Sequence, residues 1–261
     1  MSFSELQPIP VRLRDGAVLN YVRAGTGPTM ILVHGVLGDW RSWETHWPAL
    51  SAHYDCISYS CRFNYPNGNT MAAPNHSAVE NAADLEELME VLGIERTILV
   101  GSSYGGFTSL ALAVRAPGRV RAVVAVEPPM MKYAEMFEDT VAVAQAFREK
   151  AVVTSRAAFA RGDDALGTAI LSGGIANVAP EALAADVMKR RMQNVMAGRR
   201  IALSSDEFPL LAPADLAALP MPVMLMSGQN TAPIFRRSSR GSRAPCPARG
   251  TGRRRRSLGS R

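Results

Sequence analysis

The sequence predicts an α/β fold built on a parallel β-sheet, and three observations support this prediction. Short apolar runs alternate with stretches of helical periodicity through the first half of the chain. Several of these runs are apolar at consecutive positions, as expected of strands that helices cover on both faces. With 261 residues, of which 47% are hydrophobic and 20% charged, the chain can bury a large core.

The expected strands and helices follow one another in a regular order. Apolar runs that end at turn residues predict strands, and apolar positions that recur every three to four residues predict the helices between them. The strands are expected at 17–24, 30–33, 56–59, 97–100 and 120–126, and the helices at 42–52, 78–92 and 106–116. Each helix therefore lies in a connection between two strands, as a parallel sheet requires.

The pattern divides the chain into four segments. Residues 1–129 are expected to form the first part of the core. Residues 130–200 are rich in Ala, Met and Arg with glycine breaks, which favours a helical cap. Residues 201–235 are expected to return to the core with a seventh strand at 222–226, and residues 236–261 form an Arg-rich tail.

The tail carries the positive charge of the chain. The sequence has 29 Lys and Arg against 23 Asp and Glu, but residues 236–261 hold ten Arg and no acidic residue, which leaves the preceding part at −4. An acidic body excludes a uniformly basic nucleic-acid-binding domain. The Arg, Ser, Gly, Pro and Ala composition predicts disorder, and we interpret it as an out-of-frame reading of GC-rich coding sequence after a frameshift near Arg237. The alternative is an evolved basic arm that binds nucleic acid or an anionic membrane through Arg253–Arg256.

Targeting and cofactor motifs are not recognisable in the sequence. Cys56, Cys61 and Cys246 lack the spacing of a metal site, and the N-terminus lacks the apolar run of a signal peptide. No apolar stretch approaches the roughly 20 residues that span a bilayer. A dinucleotide fingerprint and a phosphate-binding loop are also missing. The sequence therefore predicts a cytoplasmic protein that is not in the membrane and uses no cofactor.

The pentapeptide Gly101-Ser102-Ser103-Tyr104-Gly105 lies between a predicted strand and a predicted helix. In a G-x-S-x-G turn of this kind the glycines keep side chains out of a sharp bend, and the central serine projects above the sheet as a nucleophile. A Ser- and Gly-rich loop without chemistry is the alternative. The strand before it, the helix after it and Gly106 favour Ser103 as a catalytic nucleophile.

A second motif, His34-Gly35-Val36-Leu37-Gly38, directly follows another predicted strand. A glycine turn here exposes backbone N–H groups, so the amides of Val36 and Tyr104 are candidates for an oxyanion hole. His34 is expected to orient the loop as a packed side chain and not to transfer protons.

These motifs together resemble the α/β-hydrolase family over about residues 17–235. The matching pieces also include Thr26-Gly27-Pro28, the turn at Arg62, the segment 76–92, Pro117 and the stretch PVMLMSGQNTAPIF. The resemblance implies an α/β-hydrolase parallel sheet with a helical cap of the esterase, lactonase and carbon–carbon hydrolase kind. It also implies a Ser–acid–His mechanism.

The sequence departs from the family pattern at two catalytic positions. The stretch after the strand expected at 222–226, the seventh in the family's order, contains no carboxylate. Glu127, at the end of the strand expected at 120–126, the family's sixth, is therefore the candidate acid; a solvated glutamate before a diproline is the alternative. The four histidines at positions 34, 46, 53 and 76 all precede Ser103. We therefore expect the last strand, the last helix and the catalytic histidine of the family to be missing from this sequence.

The function expected from these residues is that of a serine hydrolase that acts on a small ester, a lactone or a cleavable carbon–carbon bond. The missing base predicts that its activity is impaired. One alternative is a non-catalytic protein that binds a small molecule, and another is a basic-tail nucleic-acid binder.

Overall fold

The computed structural model describes residues 3–70, 77–136 and 138–229, and it confirms the predicted α/β fold. A seven-stranded sheet has the order β1-β2-β4-β3-β5-β6-β7. The pairs β1–β2 and β2–β4 are antiparallel, and all other neighbouring pairs are parallel. The strands are β1 (Ile9–Arg12), β2 (Val18–Ala24), β3 (Thr29–Val33), β4 (Asp55–Tyr59), β5 (Thr97–Ser102), β6 (Val120–Val126) and β7 (Val223–Met226).

Ten α-helices lie in the described residues, and most of them follow β6. The helices are α1 (Trp47–Ser51), α2 (Ala78–Val91), α3 (Tyr104–Arg115), α4 (Met131–Glu135), α5 (Glu138–Phe147), α6 (Thr154–Ala160), α7 (Asp164–Ala176), α8 (Ala185–Met192), α9 (Val195–Leu203) and α10 (Pro213–Ala217). A π-helical stretch, Arg148–Val153, joins α5 to α6, and short 3₁₀ helices lie at Phe3–Glu5, Trp40–Trp43, Pro117–Arg119 and Pro180–Ala182. No described helix is long and apolar enough to cross a membrane.

The sheet has a hydrophobic core on each face, which explains why its strands are apolar at consecutive positions. In β3, Ile31 and Val33 belong to a core that includes residues of α2 and α3. Their neighbours Met30 and Leu32 belong to a second core that contains the three tryptophans of the chain. Alternate side chains of a strand point to opposite faces, so both sets are buried at once.

Two local predictions need correction. The strand β1 was not expected; it is only four residues long and contains Pro10, which fits an edge strand because proline donates no hydrogen bond. The single helix expected at 42–52 is instead a 3₁₀ helix at Trp40–Trp43 and the short α1. Pro48 lies in the first turn of α1, where proline favours the start of a helix over its continuation.

The segment expected to form a cap is helical throughout its described part. Helices α4 to α9 cover most of residues 131–203, and none of the described residues in that stretch forms a strand. The return to the sheet is β7, which pairs with β6. The predictions for residues 230–261, including the tail and the missing last strand and helix, fall outside the described residues.

Candidate active site

Ser103 occupies a strained turn between β5 and α3. Its backbone angles are φ 51° and ψ −118°, and a positive φ on a residue other than glycine is uncommon. The Ser103 N–H donates a 2.7 Å hydrogen bond to the Val126 carbonyl at the end of β6, which fixes the turn to the sheet. None of the described side chains hydrogen-bonds the Ser103 hydroxyl. The turn therefore holds a half-buried serine whose hydroxyl is available to a ligand.

The two glycines of the pentapeptide are required by close backbone approaches. A Cβ on Gly101 would lie 2.2 Å from the Gly105 carbonyl oxygen. A Cβ on Gly105 would lie 2.1 Å from the Val33 carbonyl oxygen at the end of β3. Both distances are far inside van der Waals contact. The spacing of these glycines around Ser103 is thus dictated by the geometry of the turn.

Residues 34–38, here called the glycine loop, lie directly against this turn. A Cβ on Gly35 would lie 3.6 Å from the Cβ of Ser103. Val36 lines a small cavity together with Ser103 and Tyr104. The structure therefore brings together three of the four residues that the sequence predicts for the site.

His34 is buried, and each of its ring nitrogens forms a hydrogen bond with a backbone group. The Cys61 N–H donates to Nε2 at 3.0 Å, so the ring proton is on Nδ1, which lies 2.7 Å from the Gly35 carbonyl oxygen and donates to it. Burial lowers the pKa of the imidazole below 6.5, and the neutral ring is favoured. His34 therefore has no free nitrogen with which to accept a proton from Ser103.

Two asparagines that the sequence analysis did not single out also contact this region. Asn64 is buried in the loop after β4, and its Nδ2 donates to the Val36 and Gly38 carbonyls, each at 2.8 Å. Asn194 is buried between α8 and α9. Its Nδ2 donates to Asp39 Oδ2 at 3.0 Å, and its Oδ1 accepts from the Tyr65 N–H at 2.8 Å. The helical segment is thus tied to Asp39, which follows the glycine loop, and to Tyr65, which follows Asn64.

Glu127 lies at the same edge of the sheet as Ser103 but does not line the cavity. Ser102 and Val126 are paired in the β5–β6 register, so Glu127 lies one residue beyond the pair, as Ser103 does. Glu127 has a φ of 50°, and its Oε1 accepts a 2.8 Å hydrogen bond from the Gly228 N–H after β7. Its carboxylate therefore faces the segment that follows β7.

Two spaces of different character meet at Ser103. One is a mostly apolar cavity of about 50 Å³, walled by side chains that include Met131, Phe147 and Leu171. The other is an open cleft of about 570 Å³ between the glycine loop and α8. Ser103, Val36 and Ile175 line both spaces.

The cleft contains three arginines, and two of them have acidic partners. Arg41 forms a two-pronged ion pair with Asp39, and Arg190 pairs with Glu44 at 3.2 Å. Burial tends to raise the pKa of Asp39, but hydrogen bonds from Arg41 and Asn194 outweigh this effect and keep it below the usual value. Among the described residues no carboxylate pairs with Arg191, and its buried Nη1 has no hydrogen-bond partner. Burial lowers the pKa of Arg191.

Two polar side chains, those of Asn81 and Arg200, contact the Tyr104 hydroxyl. The Tyr104 hydroxyl is hydrogen-bonded to Asn81, and Arg200, whose guanidinium lies 4.3 Å from the centre of the Phe63 ring, also interacts with that hydroxyl. Arg200 is buried, and burial lowers its pKa. These contacts fix the orientation of the Tyr104 side chain, and its backbone N–H lies next to Ser103 at the start of α3.

The chain is similar to known hydrolases in both sequence and structure. A family model described as alpha/beta hydrolase fold matches residues 28–157. A 2-hydroxy-6-oxo-2,4-heptadienoate hydrolase of Pseudomonas putida is 36% identical over 120 residues, which are 43% of this chain and 41% of the relative. A bifunctional epoxide hydrolase 2 of Sus scrofa is 30% identical over 125 residues, which are 46% of this chain and 22% of the relative. The chain thus matches less than half the length of either relative.

The likeness to solved structures covers more of the chain than the likeness in sequence. An α/β-hydrolase from Sphaerobacter thermophilus superimposes with a TM-score of 0.66 at 19% identity, covering 90% of this chain and 87% of that one. At this identity the likeness concerns the fold.

Proposed function

The chain belongs to the α/β-hydrolase fold family, and on that premise we propose that it is a serine hydrolase whose nucleophile is Ser103. The observation that carries the proposal is the strained backbone at Ser103, with a φ of 51°, beside a cavity and a cleft. Strain at a residue that bears a nucleophile is a recurrent property of active sites. The hydrolase names of the curated relatives support the same class of reaction.

In the proposed reaction the Ser103 oxygen attacks a carbonyl carbon of the substrate while its proton passes to a general base. The carbonyl oxygen becomes an anion that accepts hydrogen bonds from the amides of Val36 and Tyr104. Collapse of this intermediate breaks the bond to the leaving group, which takes up the proton, and water then hydrolyses the acyl-serine. Small esters, lactones and small molecules with a cleavable carbon–carbon bond beside a carbonyl are substrates of this chemistry.

Glu127 is the proposed acid that would orient the general base. Its place one residue beyond β6, next to the Ser103 turn, supports this role, as does its contact with Gly228. A carboxylate in this position stabilises an imidazolium without touching the substrate.

The general base is the part of the mechanism that this sequence does not supply. No histidine follows Ser103, and both nitrogens of His34 are engaged. His46 lines the cleft at the start of α1, but no hydrogen bond among the described residues links it to Ser103 or Glu127. We therefore propose that hydrolysis by residues 1–261 is impaired, because loss of a triad member leaves only roughly 10³–10⁴-fold acceleration over water.

A second candidate function is non-catalytic binding of a small molecule in the same site. The cavity and cleft beside Ser103 support it, since they require no base. Nucleic-acid binding by the tail is the weaker alternative, and it depends on residues outside the described ones.

The charge of Arg191 favours a substrate that carries a carboxylate. The other two arginines of the cleft have acidic partners, whereas Arg191 has none among the described residues. A partly buried cation without a counter-ion favours binding of an anion. The apolar cavity on the other side of Ser103 suits an alkyl or small acyl group. We propose a substrate with an apolar end, a carboxylate end and a reactive carbonyl between them.

The substrate proposal is tested by comparing a nitrophenyl half-ester of glutaric acid with neutral nitrophenyl butyrate. Arg191→Gln should weaken binding of the half-ester by about 10- to 100-fold, since a hydrogen bond to a charged group contributes about 1.5–3 kcal/mol. Binding of the butyrate should not change. Arg190→Gln is the matched control, because Arg190 lines the same cleft but is already paired with Glu44. Equal effects of both substitutions on both esters would contradict the role of Arg191.

The serine mechanism is tested by chemical rescue of the missing base. Imidazole added in solution should accelerate hydrolysis of nitrophenyl butyrate by the wild-type chain beyond its effect on the ester alone. Ser103→Ala should abolish this protein-dependent increase. Ser102→Ala, which alters the neighbouring serine of the same cleft, should retain it. An increase that survives in Ser103→Ala would overturn the assignment, whereas half-ester binding without any turnover would favour the non-catalytic alternative.

A further inference from the structure

The side chain of Asn64 holds the glycine loop from behind. Asn64 is 3% exposed, and both of its side-chain N–H groups are used, one on the Val36 carbonyl and one on the Gly38 carbonyl, at 2.8 Å each. The loop is closed across the same residues by the Gly38 N–H, which donates to the Gly35 carbonyl at 2.9 Å. Asn64 therefore fixes the 36–37 and 38–39 peptide units, and the Gly38 bond fixes the 35–36 unit that carries the Val36 N–H.

Asn64 is itself rigidly placed. Its backbone N–H donates to the Cys61 carbonyl at 2.8 Å. The next residue, Tyr65, donates its N–H to Asn194, which also binds Asp39 at the end of the glycine loop. Asn67 holds the base of the same turn by donating to the Ser60 and Cys61 carbonyls. The Asn64 amide is thus a fixed support and not a side chain that follows the loop.

We infer that Asn64 is a positioning residue that sets the glycine loop, and with it the Val36 amide, in the orientation needed to bind an oxyanion. This inference rests on the proposed function. An oxyanion hole works because its donors are already oriented before charge develops, so a support that removes freedom from the loop increases the rate. Asparagine suits the position because one nitrogen supplies two donors within reach of two carbonyls.

The test compares Asn64→Asp with Asn69→Asp. Both substitutions replace an amide that donates to two backbone carbonyls, but the Asn69 amide binds the Val18 and Arg62 carbonyls and does not touch the glycine loop. Two quantities are measured in the full chain: hydrogen exchange of the Gly38 amide by NMR, and the rate at which a fluorophosphonate labels Ser103 in the presence of imidazole.

Asn64→Asp should accelerate Gly38 exchange at least about tenfold, because two hydrogen bonds to the loop are lost. Labelling should slow at least about tenfold, which is part of the roughly 10²–10³-fold loss seen when one oxyanion donor is removed. Both effects, each expressed as a ratio to wild type at the same pH, should partly reverse toward about pH 5. There the introduced carboxyl, whose pKa is raised by burial beside two carbonyls, gains a proton and can donate one bond. Asn69→Asp should leave Gly38 exchange and labelling close to wild type.

The outcomes separate this inference from the proposed function. Unchanged Gly38 exchange in Asn64→Asp and in a second variant, Asn64→Ala, would overturn the positioning role whatever the labelling shows. Failure of both variants to fold while Asn69→Asp folds would also overturn it, since Asn64 would then be a general structural residue. If the wild type takes no label but Gly38 exchange responds as expected, the nucleophile assignment fails and the support of the loop by Asn64 stands.

Discussion

Replacement of Gly105 by alanine should strongly destabilise the protein. The added Cβ would lie 2.1 Å from the Val33 carbonyl oxygen and 2.6 Å from the His34 carbonyl oxygen. Ordinary contact needs roughly 3.4 Å, so α3 and β3 must separate by more than about 1 Å. Both obstacles are backbone atoms, one at the end of β3 and one in the first residue of the glycine loop, and cannot rotate away as a side chain could.

This separation should lower the free energy of unfolding. Overpacking a core costs about 1–3 kcal/mol when side chains can adjust, and here they cannot, so we expect at least about 3 kcal/mol. For a chain of this size that corresponds to a fall in Tm of roughly 6–12 °C. Gly118→Ala is the control, because a Cβ there meets nothing within 4 Å and the change should stay within about 0.5 kcal/mol.

The assay is thermal unfolding followed by circular dichroism, with the two variants and the wild type measured side by side. The expected order of Tm is wild type and Gly118→Ala together, with Gly105→Ala well below. If Gly105→Ala melts with Gly118→Ala, the close approach of the Ser103 turn to β3 does not exist, and the geometry from which the site is argued is wrong.

Two further predictions concern buried titratable groups. Because the pKa of His34 is below 6.5 in the folded chain, the unfolded chain binds more protons as the pH falls below 6.5, and stability should drop by up to about 1.4 kcal/mol per pH unit until the folded pKa is reached. The stability measured by urea unfolding at several pH values should no longer depend on pH in this way in His34→Gln. The dependence should remain in His53→Gln, which alters an exposed position. A pH profile unaffected by His34→Gln would refute the buried neutral ring. Burial raises the pKa of Cys56 to about 11 and that of Cys61 to about 12, so in native protein both thiols should react with Ellman's reagent at least about a hundredfold more slowly than in urea. Equal rates would show that these strand ends are open.

The sequence analysis succeeds where chemistry and local pattern coincide. The G-x-S-x-G turn follows from the backbone crowding at Gly101 and Gly105, which any sequence forming this turn must satisfy. The central strands are predictable because their apolar runs serve both cores. By contrast, β1 is short and contains a proline, so its pairing with β2 depends on the finished sheet and not on its own residues.

The residues that support the site were not predictable either, and the reason is different. An asparagine in a loop has no pattern that reveals which carbonyls its amide will reach, so Asn64 and Asn194 gave no signal. That Arg191 has no acidic partner among the described residues follows from a pairing of Glu44 with Arg190, which lies 146 residues away in the chain. Long-range pairing of this kind is decided by packing of the helical segment on the core. The position of Glu127 is predictable as a strand end, but its contact with Gly228 is not.

The claim that Ser103 is the nucleophile is tested most directly by locating a covalent label. The native chain is treated with a fluorophosphonate in the presence of imidazole, so that the serine oxygen displaces fluoride and forms a bond to phosphorus, and peptide mass spectrometry identifies the modified residue. We expect a single modification on Ser103, its loss in Ser103→Ala, and its retention in Ser102→Ala. Labelling on another residue, or labelling that persists in Ser103→Ala, would contradict the account.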